Sequence, residues 1–490
     1  TVTYLSRSDW EGTFPKNYTE YVNGSGIPTE APFTISGAEK EEEWLIELTN
    51  SQGVITPSAN ESDWVNVEGV LPANVGEGKE FATVWAWILN VAVEDPEAFS
   101  NIHSEEWQAV AASIPLGTAI ASVANGGHAT QVFTEEIGNP GSLQSESVAG
   151  YSQTLQLADG KTMKLNVASN TLLGASFNPE FAYEWGLMEG EGGLWLQETE
   201  SPREFSANAV TVWGAGLNQH RHAYNGRNSE YMSEDPMLTN RIGAEQLRGA
   251  VEKGSICGPK HMGFNDQELN RQGVACYMTE QKVRETDTRC YEGALRVNEG
   301  NGTGVMMSFA RIGATNVTNS VGYINNIMRG EWGFTGIVTT DMGQGAGYHE
   351  LGALVMASVN QYASFGGGAF VMGDNVSDDA VVSSSWSYLT LGEARRDPDF
   401  ANQARQTALY ELFTIARSGS GLYVERVENT GEDIVVPPYT ITSRVPVGTL
   451  ERAGWENIFI ALEVVFAVIT AVAGVAWIVS EVMPEKKEEN

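Results

Sequence analysis

Asp341 is the residue whose position in the sequence most strongly suggests chemistry. It ends the largely apolar segment 335–341 (TGIVTTD), which predicts a buried strand, and glycines at 343, 345 and 347 follow it. A carboxylate at the end of a buried strand must be paired, hydrogen-bonded or reactive. Two interpretations stay open on position alone: an aspartate that caps the next helix, or a working carboxylate at an open rim.

Cationic side chains follow other strand-like segments. Lys260 and His261 end a short one, Arg271 lies further along the same loop, and Arg227 follows the strand predicted over 209–216. Such donors can hold hydroxyl oxygens while one carboxylate attacks or stabilises an oxocarbenium-like centre. The set therefore favours a poly-hydroxyl ligand. Phosphate would compete for these cations, but the sequence has no GxxxxGK[ST] loop.

We expect neither a metal nor a cofactor, and no nucleic-acid partner. HExxH and GxSxG are absent, the three cysteines lack CxxC spacing, and GAGLNQ does not complete GxGxxG. The net charge of −34, from 29 basic and 63 acidic residues, argues against phosphate-backbone binding, which needs clustered Lys and Arg.

The elements that must position these side chains alternate in type. Strand ends recur near 213, 259, 309 and 341, TLLGAS (171–176) also predicts a strand, and helical patterns cover 240–253, 279–297, 320–330 and 399–418. Such alternation indicates parallel βα units, arranged either as a barrel or as an open sheet. In a barrel, functional groups gather at the carboxyl ends of the strands.

The ends of the chain differ from this middle. We expect a loop-rich lead-in over 1–102 that covers the barrel, the barrel itself over 103–420, and a β-like tail or linker over 421–454. The sequence begins without Met, so the chain is expected to be a fragment or a processed form.

An apolar segment near the carboxyl end suggests a membrane anchor. The 22 residues Ile458–Val479 contain one charge, Glu463, and are long enough to cross a bilayer core of about 30 Å. We predict a transmembrane helix over 455–480 and a short cytoplasmic tail over 481–490, because lysines follow the segment. The expected location is the cell membrane, single-pass, with the barrel extracellular. A buried core helix or an amphipathic dimer helix is the alternative, favoured by the cost of a carboxylate in lipid.

Four segments within 100–345 resemble motifs of the family three glycoside hydrolases, the β-glucosidase-like group. NGRNSEYMSEDP resembles GRNFEYFSEDP, and GPKHMGFNDQELNR resembles KHFALNDQETNR. VMMSFARIG and RGEWGFTGIVTTD resemble SFNRIG and DEWGFKGxVVTD, in the family's order. The resemblance implies a (β/α)8-like barrel and a retaining exo-hydrolase of terminal non-reducing β-D-glycosides, with glucosides or xylosides favoured.

The resemblance also implies roles for residues. Asp341 would be the nucleophile that forms the glycosyl-enzyme. The residues expected to contact the terminal sugar are Glu146, Arg227, Lys260, His261, Arg271, Phe309 and Met342. Three of these depart from the family pattern: Glu146 stands where the family has Asp, Met342 where many members have an aromatic residue, and Phe309 where many have Tyr.

The acid/base of the reaction has no match in the sequence. The opening segment and the apolar carboxyl end resemble a subgroup with permuted domain order, in which a sandwich domain carrying the acid/base Glu precedes the barrel. Glu230, Glu234 and Asp235 lie in the GRN loop, where we expect them to stabilise the loop. Two rival functions therefore stay open: a sugar-binding module without turnover that needs an acid/base from a missing domain or partner, and a non-catalytic membrane scaffold.

Overall fold

Parallel strands with helices between them form the part of the molecule that carries the candidate site. The computed structural model describes residues 71–125, 137–138, 143–146, 155–156, 162–163, 167–199, 210–272, 274–276, 280–296, 303–312, 315–342, 351–361, 381–383, 388–390, 398–418, 461 and 464–473. The chain divides into two compact units, 1–441 and 442–490.

The described elements of the first unit follow in chain order. The strands are β1 (Leu143–Glu146), β2 (Leu155–Gln156), β3 (Thr162–Met163), β4 (Val210–Gly216), β5 (Ile256–Lys260), β6 (Ala275–Cys276), β7 (Gly304–Met306), β8 (Arg311–Ile312), β9 (Thr315–Asn316), β10 (Ile337–Thr339), β11 (Val381–Ser383) and β12 (Tyr388–Thr390). The helices are α1 (Val84–Glu94), α2 (Pro96–Ser100), α3 (Glu105–Ser113), α4 (Leu116–Asn125), α5 (Asn170–Ala175), α6 (Pro179–Thr199), α7 (Pro236–Glu252), α8 (Glu280–Glu285), α9 (Arg289–Leu295), α10 (Leu351–Met356) and α11 (Pro398–Ala416). A 3-10 turn (Val317–Asn319) and a π-helix (Gly322–Glu331) complete the set.

The parallel strands are ordered as they are in the chain. β1 pairs with β4, and β4 pairs with β5. Bridges Cys257↔Thr303 and Met262↔Met307 connect β5 to β7, and β7 pairs with β10. Thr339 then bridges Gln361. This sequential parallel order confirms the predicted α/β class; closure into eight strands stays a prediction.

Trp213 fills the space between three of these strands. Its side chain, on β4, is fully buried. A Cβ atom at Gly258 of β5 would lie 2.3 Å from the Trp213 ring, and one at Gly304 of β7 would lie 3.1 Å from it. Because a Cβ contact of 2.3 Å does not occur in real structures, only the absence of a side chain at Gly258 lets the ring lie across the neighbouring strand. Trp213 thus packs directly against the backbone of the neighbouring strands.

The GRN loop ends where α7 begins. Asp235 accepts hydrogen bonds from the backbone N–H groups of Met237 and Leu238, at 2.7 and 2.9 Å, and Pro236 occupies the first helical position. This is a standard N-cap with proline at N1. Asp235 therefore stabilises the end of the loop, as the sequence predicts.

Three local predictions are wrong. TLLGAS forms α5 and not a strand: Leu173 is buried while Leu172 is 56% exposed, and short apolar runs do not distinguish the two structures. Residues 84–100 are two helices with buried Trp85 and Ile88 and not an irregular lead-in. The helix expected over 279–297 is divided into α8 and α9.

The remaining predictions for the two ends of the chain mostly concern residues outside the described ranges, including 1–70 and 421–454. In the second unit, 461 and 464–473 are helical, and the side chains of Phe466 and Val472 are exposed. No helix within the described ranges is long and apolar enough to span a bilayer.

Glu411 of α11 gives a prediction about stability. Burial alone raises the pKa of its carboxyl from 4.5 to about 8, so the folded chain keeps a proton that the unfolded chain releases. The free energy of unfolding should therefore fall as pH rises from 4.5 towards 8. We expect Glu411→Gln to raise it by about 1–3 kcal/mol at pH 8 and to leave it nearly unchanged at pH 4, measured by chemical denaturation. The same change at exposed Glu94 is the control; an equal gain at both pH values for Glu411→Gln would contradict the argument.

Candidate active site

Parallel pairing brings the candidate residues to one end of the strands. Lys260 is the last residue of β5 and His261 follows it. Asp341 lies two residues beyond the end of β10, and Glu146 is the last residue of β1, in register with Trp213. Because the carboxyl ends of parallel strands meet at one edge, residues far apart in the sequence become neighbours.

Asp341 is buried, with 7% of its surface exposed. Its Oδ1 accepts a hydrogen bond from the backbone N–H of Met342 at 2.7 Å, and its Oδ2 lies 3.7 Å from Nε2 of His261. Burial raises the pKa of this carboxyl above its ordinary value, while the Met342 amide and the charges of Arg271, Lys260 and Arg227 oppose the rise. The three cations thus limit the rise in the pKa of Asp341 that burial causes.

Lys260 and His261 are almost completely buried and are joined by a cis peptide bond. Burial lowers the pKa of Lys260 to about 8; the negative charge of Asp341 limits this fall, and the positive charge of Arg271 adds to it. The Nζ atom of Lys260 lies 4.0 Å from Oε1 of Glu230. The ammonium group thus lies near Glu230 and within electrostatic reach of Asp341.

Arg227 connects the GRN loop to His261. Its guanidinium pairs with Glu230 through both Nε and Nη2, the latter 2.5 Å from Oε1, which is a bidentate geometry. Its Nη1 lies 3.1 Å from Nε2 of His261. Because arginine can only donate, Nε2 of His261 accepts, and the ring proton is on Nδ1, on the side of the Tyr231 hydroxyl at 3.5 Å.

Arg271 and Phe309 form another side of the site. The guanidinium carbon of Arg271 lies 4.9 Å from the centre of the Phe309 ring, a cation–π contact. Arg271 also pairs with Glu268 at 3.1 Å. Phe309 is buried, whereas Met342 is partly exposed.

The structure thus brings Asp341, Lys260, His261 and Arg227 together and places Arg271 within electrostatic reach of Asp341. For Glu146 the structure describes the backbone of β1 but not the side chain. Sequence reasoning missed Tyr231, whose hydroxyl accepts from Asn265 at 2.6 Å, and it gave Glu230 only a general role in the loop. The signal for Glu230 was its position three residues after Arg227, a spacing at which opposite charges pair.

The described residues form no metal-binding cluster. Within the described ranges, no cluster of three or more His, Cys, Asp or Glu side chains has suitable geometry. The carboxylates beside the cations, Glu230 and Glu268, are each engaged by an arginine. The described arrangement is one buried carboxylate, Asp341, with cationic side chains around it.

The two shifted pKa values predict a pH window. A nucleophile at Asp341 would have to be ionised, and burial raises the pKa of this carboxyl, so activity through it should fall on the acid side at a higher pH than for an ordinary aspartate. Lys260 should lose its charge, and with it part of its hold on a hydroxyl, above pH 8. We expect kcat/KM for a dinitrophenyl β-glucoside to show both limbs. Lys260→Arg should move only the alkaline limb upward; an unmoved limb would show that another group titrates there.

Parallel strands that carry a buried carboxylate and several cations at their carboxyl ends are compatible with the class of α/β enzymes that act on glycosides. Residues 215–361 match the glycosyl hydrolase family 3 N-terminal domain. This segment is thus similar to the family 3 glycosyl hydrolases, and the relatives matched over a longer range include β-glucosidases.

Individual relatives agree with this assignment. A β-glucosidase of Ruminococcus albus is 29% identical over 290 residues, covering 58% of this chain and 28% of the relative. An exo-α-(1→6)-L-arabinopyranosidase of Bifidobacterium breve is 28% identical over 247 residues, covering 49% of this chain and 30% of the relative. A solved β-glucosidase of Paenibacillus barengoltzii shares the fold with a TM-score of 0.54 at 21% identity, covering 81% of this chain and 39% of that one. The chain thus spans well under half the length of these relatives.

Proposed function

We propose that this chain hydrolyses terminal non-reducing β-D-glycosides by a retaining double displacement, with Asp341 as the nucleophile. The observation that carries the proposal is the buried Asp341 carboxylate, which lies 3.7 Å from His261 and within the field of three cations. The similarity to a β-glucosidase and to an exo-acting arabinopyranosidase supports exo-acting chemistry on a terminal sugar.

In the first step, an oxygen of Asp341 bonds to the anomeric carbon while the bond from that carbon to the aglycone oxygen breaks. In the second step, the oxygen of a water molecule bonds to the same carbon while the bond from that carbon to Asp341 breaks, and the second carboxyl group, now acting as a base, takes the proton of the water. The sugar is released with retained configuration. Lys260, Arg227 and Arg271 donate hydrogen bonds to the hydroxyls of the terminal sugar, because their charges act on the same carboxylate. His261 contacts these hydroxyls through Nε2, which lies 3.7 Å from Asp341 and accepts. Phe309 and Met342 supply the apolar walls.

The leaving aglycone oxygen needs a proton from a second carboxyl group. We propose that this acid comes from a sandwich domain, either elsewhere in the full protein or in a partner, in the permuted order that the sequence resembles. Glu230 and Glu268 are poor candidates, since each is already paired with an arginine. No cofactor is required by this mechanism.

A sugar-binding module without turnover is the second candidate function. It is favoured by the engagement of both described carboxylates near the site and by the departures at Glu146 and Met342. In this case the cations would still hold a sugar, but no glycosyl-enzyme would form.

Covalent trapping separates the two functions. The chain should be incubated with dinitrophenyl 2-deoxy-2-fluoro-β-D-glucoside, whose leaving group needs no acid, and the adduct located by intact mass and peptide mapping. A glycosyl adduct on Asp341 supports the hydrolase. Binding of the sugar without an adduct supports the module, and a panel that includes β-xylosides and α-L-arabinopyranosides tests for a different sugar.

Glu146 gives a further prediction. The family places a shorter Asp at this position, and an extra methylene can displace a bound sugar by about 1 Å, which can cost about 100-fold in rate. If Glu146 is a defect, Glu146→Asp should raise kcat/KM for β-glucosides about 10- to 100-fold. A fall would show that Glu146 suits a different sugar, and kcat/KM across the same panel of glycosides would identify it.

We also propose that residues 458–479 anchor the chain in the cell membrane with the barrel outside. The support is the 22-residue apolar segment and the helical conformation of 464–473, with its apolar side chains exposed. The full chain should stay in the membrane fraction after carbonate extraction, and Val468→Glu should weaken this retention. Val93→Glu, at an exposed position of α1, is the control. Recovery of the unaltered chain in the supernatant would refute the anchor.

A further inference from the structure

Asn218 is a buried residue of the loop that follows β4, and its side chain is bonded to the backbone of His261. Its Nδ2 donates to the His261 carbonyl oxygen at 2.8 Å, and its Oδ1 accepts from the His261 N–H at 2.7 Å. One amide side chain therefore pairs with both backbone polar groups of a residue that lies 43 positions away in the sequence.

The hydrogen bonds of the Asn218 side chain lie just beyond the point where the backbone pairing of β4 with β5 ends. The last backbone bond of that edge runs from the N–H of Leu217 to the carbonyl of Lys260, at 2.9 Å. On the other side, the N–H of Met262 donates to Met306 at 2.8 Å. His261 lies between these bonds and is buried, so without Asn218 its own N–H and C=O would lose these partners.

The chemistry of this contact requires an amide. The His261 N–H can only donate and its carbonyl can only accept, so the partner must accept and donate at once. The asparagine amide does both and reaches both groups. Ionised aspartate has no donor, leucine has no polar group, and the single hydroxyl of serine lies on a shorter side chain. Tyr291 of α9, itself buried, donates its hydroxyl to the same Oδ1 at 2.9 Å, which holds the amide in one orientation.

We propose that Asn218 is a positioning residue for the sugar site. By fixing the backbone of His261 on both sides, it sets Nε2 of that ring 3.1 Å from Arg227 and 3.7 Å from Asp341. Tyr291 acts through Asn218 as an outer support. The proposal rests on the proposed function only in that the ring being positioned is one of the groups that contact the sugar hydroxyls.

The test compares Asn218→Leu, Asn218→Ser and Tyr291→Phe with a matched control, Asn325→Leu. Asn325 is equally buried and donates one side-chain hydrogen bond, to the Met356 carbonyl at 2.9 Å, on the π-helix. Three readouts are used: thermal stability, the affinity for glucose by calorimetry, and the ring resonances of His261 by NMR. The chain has six histidines, so His261→Gln assigns the signal.

We expect Asn218→Leu to weaken glucose binding about 10- to 100-fold and to shift the His261 resonances alone. Asn218→Ser should give a smaller loss, and Tyr291→Phe the smallest. Asn325→Leu should lower stability while leaving glucose affinity and the His261 signal unchanged. If Asn218→Leu does not fold, the serine and phenylalanine variants decide the question by the same readouts.

Unchanged His261 resonances in the Asn218 variants would overturn the proposal, as would changes equal to those in Asn325→Leu. Failure of the proposed function has a different signature. In that case the unaltered chain neither binds glucose nor reacts with the fluorinated glucoside, while the His261 resonances still report whether Asn218 positions the ring.

Discussion

Asp341→Asn is expected to lower kcat for a dinitrophenyl β-glucoside by at least about 1,000-fold, while glucose still binds. The amide is nearly the same size as the carboxylate, so it preserves the packing of a residue that is 7% exposed. It cannot form the glycosyl-enzyme, because its oxygen carries no negative charge to attack the anomeric carbon. The measurement is steady-state turnover, with glucose affinity by calorimetry.

Asp235→Asn is the matched control for this variant. The chemical change is identical, but Asp235 lies at the N-cap of α7, where asparagine caps about as well as aspartate. Turnover should therefore be unaffected. Full activity in Asp341→Asn would show that Asp341 is not the nucleophile, and a loss of glucose binding with turnover would show instead that the site had collapsed.

Lys260→Met is expected to lower kcat/KM by about 100-fold, which is the size of a lost charge-assisted hydrogen bond. Methionine keeps the unbranched shape that fills this buried position but cannot donate. The neutral side chain also removes one of the charges that favour ionised Asp341, so the acid limb of the pH profile should move upward. Both effects are read from kcat/KM as a function of pH.

Lys253→Met, at the end of α7, is the control for lysine removal. Lys253 pairs with Glu191 at 3.0 Å, in a contact that involves none of the site residues, so its loss should leave kcat/KM unchanged. An unmoved acid limb in Lys260→Met would mean that the ammonium does not influence Asp341. An unmoved kcat/KM would remove Lys260 from the sugar site.

The balance of charge at the site explains why carboxylates and cations occur there together. Glu230 engages Arg227 and lies near Lys260, and Glu268 engages Arg271. Three buried or half-buried cations beside one carboxylate would otherwise repel one another at a cost that rises in a low-dielectric interior. The paired glutamates reduce that repulsion, while the three cations still act electrostatically on Asp341.

The sequence by itself determined the alternation of strands and helices, the strand ends at Lys260 and near Asp341, and the grouping of Arg227, Lys260, His261 and Asp341 at one edge. These features follow from local patterns: apolar runs predict strands, and parallel strands bring their carboxyl ends together. The resemblance to family motifs added the expectation that the ligand is a glycoside.

Only the tertiary structure decided the rest. TLLGAS is helical because packing, not its short apolar run, selects between helix and strand. The bond from Asn218 to His261 joins residues 43 positions apart, and Tyr231 and Asn265 meet across two loops, so no local pattern reveals them. The pKa values of Lys260 and Asp341 are likewise set by burial, which arises only when all the strands have assembled around these groups.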